Sequence, residues 1–73
     1  MKPHRIDLRA LSHSKWTAVE PQNREKHFVA VELIRGENGE VEAVLLEAIL
    51  TQRRQQISID QLRDAHRWST GWQ

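Results

Sequence analysis

Residues 26–51 constrain the fold of this chain more than any other segment, because two runs of β-branched and aliphatic residues flank Asn38-Gly39. An Asn-Gly pair between such runs is the strongest short-range signal for a β-hairpin. Both central residues of a type I′ turn have positive φ, which asparagine and glycine adopt at the lowest cost. We therefore predict one long hairpin with a two-residue type I′ turn at Asn38-Gly39.

A two-residue turn also fixes the register of this hairpin, since it places Glu37 opposite Glu40 and Leu33 opposite Val44. Directly opposed residues share a face of the sheet. The register therefore predicts one apolar face, composed of Val29, Val31, Leu33, Val44, Leu46, Ala48 and Leu50. Phe28 falls on the other face, which is mixed in polarity. Residues 41–50 are also rich in helix formers, so a helix there is the alternative that the hairpin pattern disfavours.

The elements around the hairpin are shorter. Residues 16–19 are typical of a first strand, which Pro21 ends, and residues 56–59 alternate as a fourth strand. A short helix is predicted near residues 60–68, capped either by Asp60 or by Ser58 in a capping box with Gln61. We therefore expect a mainly β (α+β) fold. It would be a small curled antiparallel meander of about four strands, SH3-like or a partly open barrel, with a short C-terminal helix.

Size and composition limit the classes of protein to consider. With 73 residues and no cysteine, the chain has room for one core and has no disulfide or thiolate chemistry. We expect a single domain over residues 1–73, in which residues 1–7 form a flexible basic tail. No apolar run reaches the length of a signal-peptide core or a membrane span, so a soluble cytoplasmic protein without a membrane partner is expected. The net charge is only +1, but both ends of the chain are basic and the hairpin is acidic.

Three tryptophans in so short a chain are its most unusual feature. Two interpretations of Trp16, Trp68 and Trp72 are open. They could form a stacking platform for nucleic-acid bases, flanked by cations that follow the phosphates, or they could pin the two ends of the chain onto the core. The candidate nucleic-acid-binding residues are Lys15, Trp16, Arg53, Arg54, Arg63, Arg67, Trp68 and Trp72.

Other chemistry is not indicated by any motif. The four histidines match no ligand spacing, and no cysteine is present to help them hold a metal. Glu32 and Glu47 lie on one hairpin face, where such carboxylates are usually solvated charges. We expect no catalytic residue, no metal and no cofactor, and therefore no enzyme.

Several short motifs resemble a known family. They are SKWTAV at residues 14–19, PQN at 21–23, EKHF at 25–28, and Trp68 followed by Gly71-Trp72. In this order and spacing they resemble a family of small bacterial tryptophan-rich proteins, which is classed as a domain of unknown function. The resemblance implies a bacterial cytoplasmic domain and assigns it no activity.

The function expected from the residues is a non-enzymatic binding module. The clustering of tryptophan, arginine and lysine at the two ends favours contact with RNA or single-stranded nucleic acid. The alternative is a protein–protein interaction or regulatory module that uses an exposed tryptophan as an anchor or the acidic hairpin as a docking edge. The sequence leaves the oligomeric state open.

Overall fold

The computed structural model describes residues 6 and 8–73, so the predicted tail lies outside the described residues except for Ile6, which packs against the core. Within these residues the chain forms a 3₁₀ turn at Leu8–Ala10, five strands and one α-helix. The strands and the helix are β1 (Lys15–Gln22), β2 (Glu25–Arg35), β3 (Val41–Ala48), β4 (Arg54–Ser58), α1 (Ile59–Leu62) and β5 (Trp68–Thr70). No helix in this described part is long and apolar enough to span a bilayer.

The five strands form one antiparallel sheet in the order β4-β3-β2-β1-β5. The first four strands follow one another as a meander, and β5 returns to pair with β1. The sheet is therefore open, with β4 and β5 at its two edges. This confirms the predicted mainly β fold with a short helix, in its partly open form, and residues 41–48 are a strand as the hairpin pattern indicated.

The turn between β2 and β3 is longer than predicted. Gly36 N–H donates to the Glu40 carbonyl (2.9 Å) and Gly39 N–H donates to the Gly36 carbonyl (3.0 Å). Gly39 has φ +77°, whereas Asn38 does not have positive φ. The loop is a type I turn followed by a left-handed glycine, and the predicted type I′ turn is wrong. The extra loop residue separates Glu37 from Glu40, two like charges that the shorter turn would place directly opposite each other.

A type I′ geometry is found instead between β1 and β2. Asn23 and Arg24 both have positive φ (56° and 64°), and they connect the paired residues Gln22 and Glu25. Strand β1 therefore continues through Pro21, and the prediction that Pro21 ends it is wrong. Arginine rarely adopts positive φ, so the sequence did not indicate a turn centred on Asn23 and Arg24.

A β-bulge at Val31 changes which face of β2 is buried. Next to the turn Arg35 pairs with Val41 and not with Glu42, as a two-residue turn would require, but from Ile34 to Glu32 the register is as predicted, with Leu33 opposite Val44. Beyond Val31 it shifts by one residue, so Ala30 pairs with Leu46. A bulge sets two residues of one strand against one of its partner and thereby reverses the sides taken by the rest of that strand.

Because of the bulge, the residues buried on β2 differ from those predicted for the apolar face. Phe28 and Ala30 are buried, whereas Val29 and Val31, which were predicted for the core, are only half-buried. Leu50 lies in the turn after β3 and is 67% exposed, so its predicted place in this face is also wrong. Burying the phenylalanine ring removes more apolar surface from water than burying either valine, and this favours the shifted register.

The core lies on one face of the sheet, which we call the core face. Its buried members are Leu11, Trp16, Phe28, Ala30, Val44, Leu46, Ala48, Ile59, Leu62 and Trp68. Helix α1 contributes Ile59 and Leu62 and begins at Ser58, which forms the capping box with Gln61 that was one of the two predicted starts. The helix ends at Leu62, short of the predicted residue 68. Trp68 belongs to β5 instead, where its ring packs into the core.

Candidate nucleic-acid interface

Two of the three tryptophans are core residues. Trp16 is 3% exposed and donates its Nε1–H to the Ser14 hydroxyl (2.8 Å). Trp68 is 7% exposed and packs edge-on against Phe28, with 5.1 Å between ring centroids. Their ring faces are covered by the core in this structure. The three-indole platform therefore reduces to one accessible ring, that of Trp72.

Trp72 is 43% exposed and is held in a defined position. Its Nε1–H donates to the backbone carbonyl of Phe28 (2.9 Å). The Lys15 ammonium lies 4.7 Å from the indole centroid, a cation–π distance. The His27 ring lies 5.8 Å from the indole and is tilted by 31°. A half-exposed aromatic ring is thus fixed beside a lysine on the sheet.

The position of Trp72 depends on the last three residues, Gly71, Trp72 and Gln73, which we call the C-terminal clasp. Gly71 has φ +76°, which turns the chain back across the sheet. The Thr17 hydroxyl donates to the Gly71 carbonyl (2.6 Å) and accepts from Gln73 N–H (3.1 Å). His27 Nε2 lies 2.9 Å from the main-chain oxygen of Gln73. One buried threonine thus ties the clasp to β1.

The clasp crosses the face of the sheet opposite the core, which we call the outer face. The registers of four adjacent strands place Lys15, Val29, Glu47 and Arg54 in one row across this face. Neighbouring strands lie about 4.8 Å apart, so the Cα atoms of Lys15 and Arg54 are separated by about 14 Å. Arg54 Nε lies 2.8 Å from the Glu47 carboxylate. The outer face therefore carries Trp72 and two cations, one of them paired with an acid.

The remaining predicted cations lie elsewhere. Arg53 and Arg67 line a groove on the core face, each 3.7 Å from a carboxylate, that of Glu25 and that of Asp64 respectively. Arg63 is the C-cap of α1 and lies with Asp60 on another part of the surface. The structure thus brings together Lys15, Arg54 and Trp72 and separates them from the other predicted residues.

Sequence reasoning missed three residues that shape these surfaces: Thr17, His27 and Glu25. Thr17 and His27 hold the clasp, and both lie inside motifs that the family resemblance singled out. Glu25 is buried and accepts a hydrogen bond from the Thr51 hydroxyl. No local pattern connects Glu25 with Thr51, because their contact depends on the fold. No group of three or more potential metal ligands occurs in the part of the chain that the structure describes.

Comparison with known proteins identifies the family of this chain. No curated protein and no solved structure matches this chain. Residues 14–73 match the family described as Tryptophan-rich protein (DUF2389). The matched region contains all three tryptophans, the five strands and the C-terminal clasp. Because the match spans most of its length, the chain belongs to this family of tryptophan-rich proteins.

Proposed function

We propose that this protein is a non-enzymatic module that contacts RNA or single-stranded nucleic acid through the outer face around Trp72. The observation that supports the proposal is the half-exposed indole, fixed by its Nε1–H bond to Phe28 and flanked by the Lys15 ammonium. Stacking of a base on an aromatic side chain contributes about 1–3 kcal/mol and tolerates any base, because every base has a π-face.

Binding would exchange one partner of the indole for another. Lys15 is exposed and has a flexible stem, so its ammonium can leave the ring for a phosphate while a base takes its place. Arg54, about 14 Å away along the same row, can meet a phosphate further along the strand. Stacking on Trp72 and phosphate contacts with Lys15 and Arg54 carry no information about the sequence of the bases. We therefore expect weak sequence preference and a strong dependence on salt.

The proposal includes a bacterial cytoplasmic setting. The motifs shared with bacterial tryptophan-rich proteins support it, and the absence of cysteine is in keeping with a reducing compartment. Messenger and other RNA molecules with single-stranded segments are available to a small protein there.

Titration of a fluorescein-labelled oligouridine with the purified protein tests the proposal. Binding should weaken steeply between about 50 and about 200 mM salt. Trp72→Ala should weaken binding about tenfold or more, because the stacking surface is lost. Lys15→Ala and Arg54→Ala should each weaken binding. Each should also reduce the slope of the logarithm of the binding constant against the logarithm of salt concentration by about one.

Arg63→Ala is the matched control, since it removes one positive charge from a surface away from the outer face. It should leave the affinity close to that of the natural protein. The proposal fails if the oligonucleotide does not bind at low salt, or if Trp72→Ala binds as well as Arg63→Ala.

A further inference from the structure

Strand β4 is an edge strand, so only about half of its backbone N–H and C=O groups can pair with a neighbouring strand. Ala48 N–H donates to the Arg53 carbonyl (2.8 Å), so the backbone groups of Arg53 and of every second residue after it face β3. In an antiparallel ladder the residues of an edge strand direct their N–H and C=O groups alternately towards the sheet and away from it. Arg54 and Gln56 therefore direct their backbone groups away from β3, towards the free edge.

A groove of about 410 Å³ lies between this edge and β5 on the core face. This volume is within the range of ligand-binding pockets. Ile57 lines it from β4 and Trp68 lines it from β5, with Phe28 between them. Four amide side chains also line it: Gln22, Asn23, Gln55 and Gln61. Amide side chains both donate and accept hydrogen bonds, as the backbone of an extended peptide does.

Two guanidinium groups in this groove are open to a ligand. The side chains of Arg53 and Arg67 are 68% and 65% exposed, and each lies 3.7 Å from its own carboxylate. That distance exceeds the 2.7–2.9 Å typical of charge-assisted hydrogen bonds, so both guanidinium groups are loosely paired. The Glu25 carboxylate is buried and accepts a hydrogen bond from Thr51. Two exposed acids lie nearby: Glu20, which lines the groove, and Asp64, whose side chain is 41% exposed.

We propose that the β4 edge and this groove bind an extended acidic segment of a partner protein. The segment adds to the sheet as a strand beside β4, with main-chain hydrogen bonds to Arg54 and Gln56. Alternate side chains of the segment enter the groove, where carboxylates meet Arg53 and Arg67. The groove lies on the face opposite Trp72, and only the main chain of Arg54 takes part in it, so the inference does not rest on the proposed nucleic-acid contact.

The probe is a capped peptide of about eight residues that alternates glutamate and valine, a length matched to one typical strand. Its control alternates lysine and valine. Amide hydrogen exchange is read residue by residue by NMR on the complete chain. The amides of Arg54 and Gln56 should exchange rapidly in the free protein and at least tenfold more slowly with the acidic peptide. The basic peptide should have no such effect.

Gln56→Pro separates backbone pairing from simple charge attraction. Proline removes the outward N–H of residue 56, and an edge strand tolerates it where that group faces solvent. Binding of the acidic peptide should weaken about tenfold, whereas Gln56→Ala should bind like the natural protein. Arg53→Ala and Arg67→Ala should each weaken binding about threefold, and Glu20→Gln should strengthen it. If Gln56→Pro does not fold, Arg53→Ala, Arg67→Ala and Glu20→Gln still test whether the acidic peptide binds in the groove.

The proposal is overturned if Arg54 and Gln56 gain no protection at millimolar acidic peptide, or if the basic peptide protects them equally. It is also overturned if the two arginine variants bind as well as the natural protein. Trp72→Ala should leave peptide binding unchanged, which distinguishes this site from the outer face.

Discussion

Thr17→Val tests whether the C-terminal clasp depends on a single hydroxyl group. Thr17 is 4% exposed, and its hydroxyl both donates to the Gly71 carbonyl and accepts from Gln73 N–H. Valine has nearly the same shape and an equal preference for strands, so it removes these two hydrogen bonds with little change in packing.

The two hydrogen bonds set the size of the expected effect. Each contributes about 0.5–1.5 kcal/mol to stability, and a buried partner left unpaired costs more. Gln73 is exposed and can bond to water after the change, so we expect a loss of about 1–2 kcal/mol in the free energy of unfolding. For a domain of this size, 1 kcal/mol shifts Tm by about 4–8 °C, which predicts a Tm lower by about 5–15 °C.

Thermal unfolding followed by circular dichroism measures this loss, and acrylamide quenching of tryptophan fluorescence reports the clasp directly. Quenching should increase in Thr17→Val, because a loosened clasp exposes Trp72 further. Thr17→Ser keeps the hydroxyl and should stay closer to the natural protein in both measurements. The reasoning is refuted if Thr17→Val unfolds at the natural Tm. It is equally refuted if Thr17→Ser loses as much stability as Thr17→Val, since the methyl group would then be responsible.

Three further substitutions test local features of the fold. Arg24→Gly should raise the free energy of unfolding by about 0.5–1 kcal/mol in urea denaturation, because φ of +64° is strained for arginine and free for glycine. Ser58→Ala should lower it by about 1 kcal/mol through loss of the α1 cap; an unchanged value would show that the capping box does not contribute. Leu46→Ala should cost about 2–5 kcal/mol, since Leu46 is completely buried; a folded protein with unchanged Tm would contradict the assignment of the core.

The sequence predicted those parts of the fold that local patterns determine. Turn residues flanked by aliphatic runs marked β2 and β3, and the spacing of Ser58 and Gln61 marked the start of α1. Strand β5 was missed because three residues are too few to show alternation, and because the predicted helix extends to Trp68. Its place is set by burial of the indole against Phe28, a contact between residues far apart in the sequence.

The candidate site was predictable only in part for the same reason. Composition pointed to the tryptophans and their neighbouring cations, but which indole stays accessible is decided by the core. In the clasp, Thr17 bonds to Gly71 and Gln73, which lie more than fifty positions later in the chain. No periodicity within a strand or helix signals such a contact. Sequence patterns identified Lys15, Arg54 and Trp72 as candidate binding residues. Only the strand registers and the clasp show that they share one face of the sheet.

The bulge at Val31 decides which residues of β2 belong to each face, and deleting this residue tests that role. Val31 is the extra residue between the pairs Ala30–Leu46 and Glu32–Leu45, so its removal leaves a regular ladder from Phe28 to Ile34 with the other side chains on their present faces. The protein should remain folded and lose only about 1 kcal/mol in the free energy of unfolding, for the half-buried valine.

Deleting Val44 instead removes a valine from β3, where strands pair on both sides, and it would carry Leu46 out of the core. That variant should not fold. Dispersed amide NMR spectra for the first deletion and collapsed spectra for the second are expected. If both deletions unfold the chain, the bulge is required for the fold itself, and the argument that it only selects the buried face is wrong.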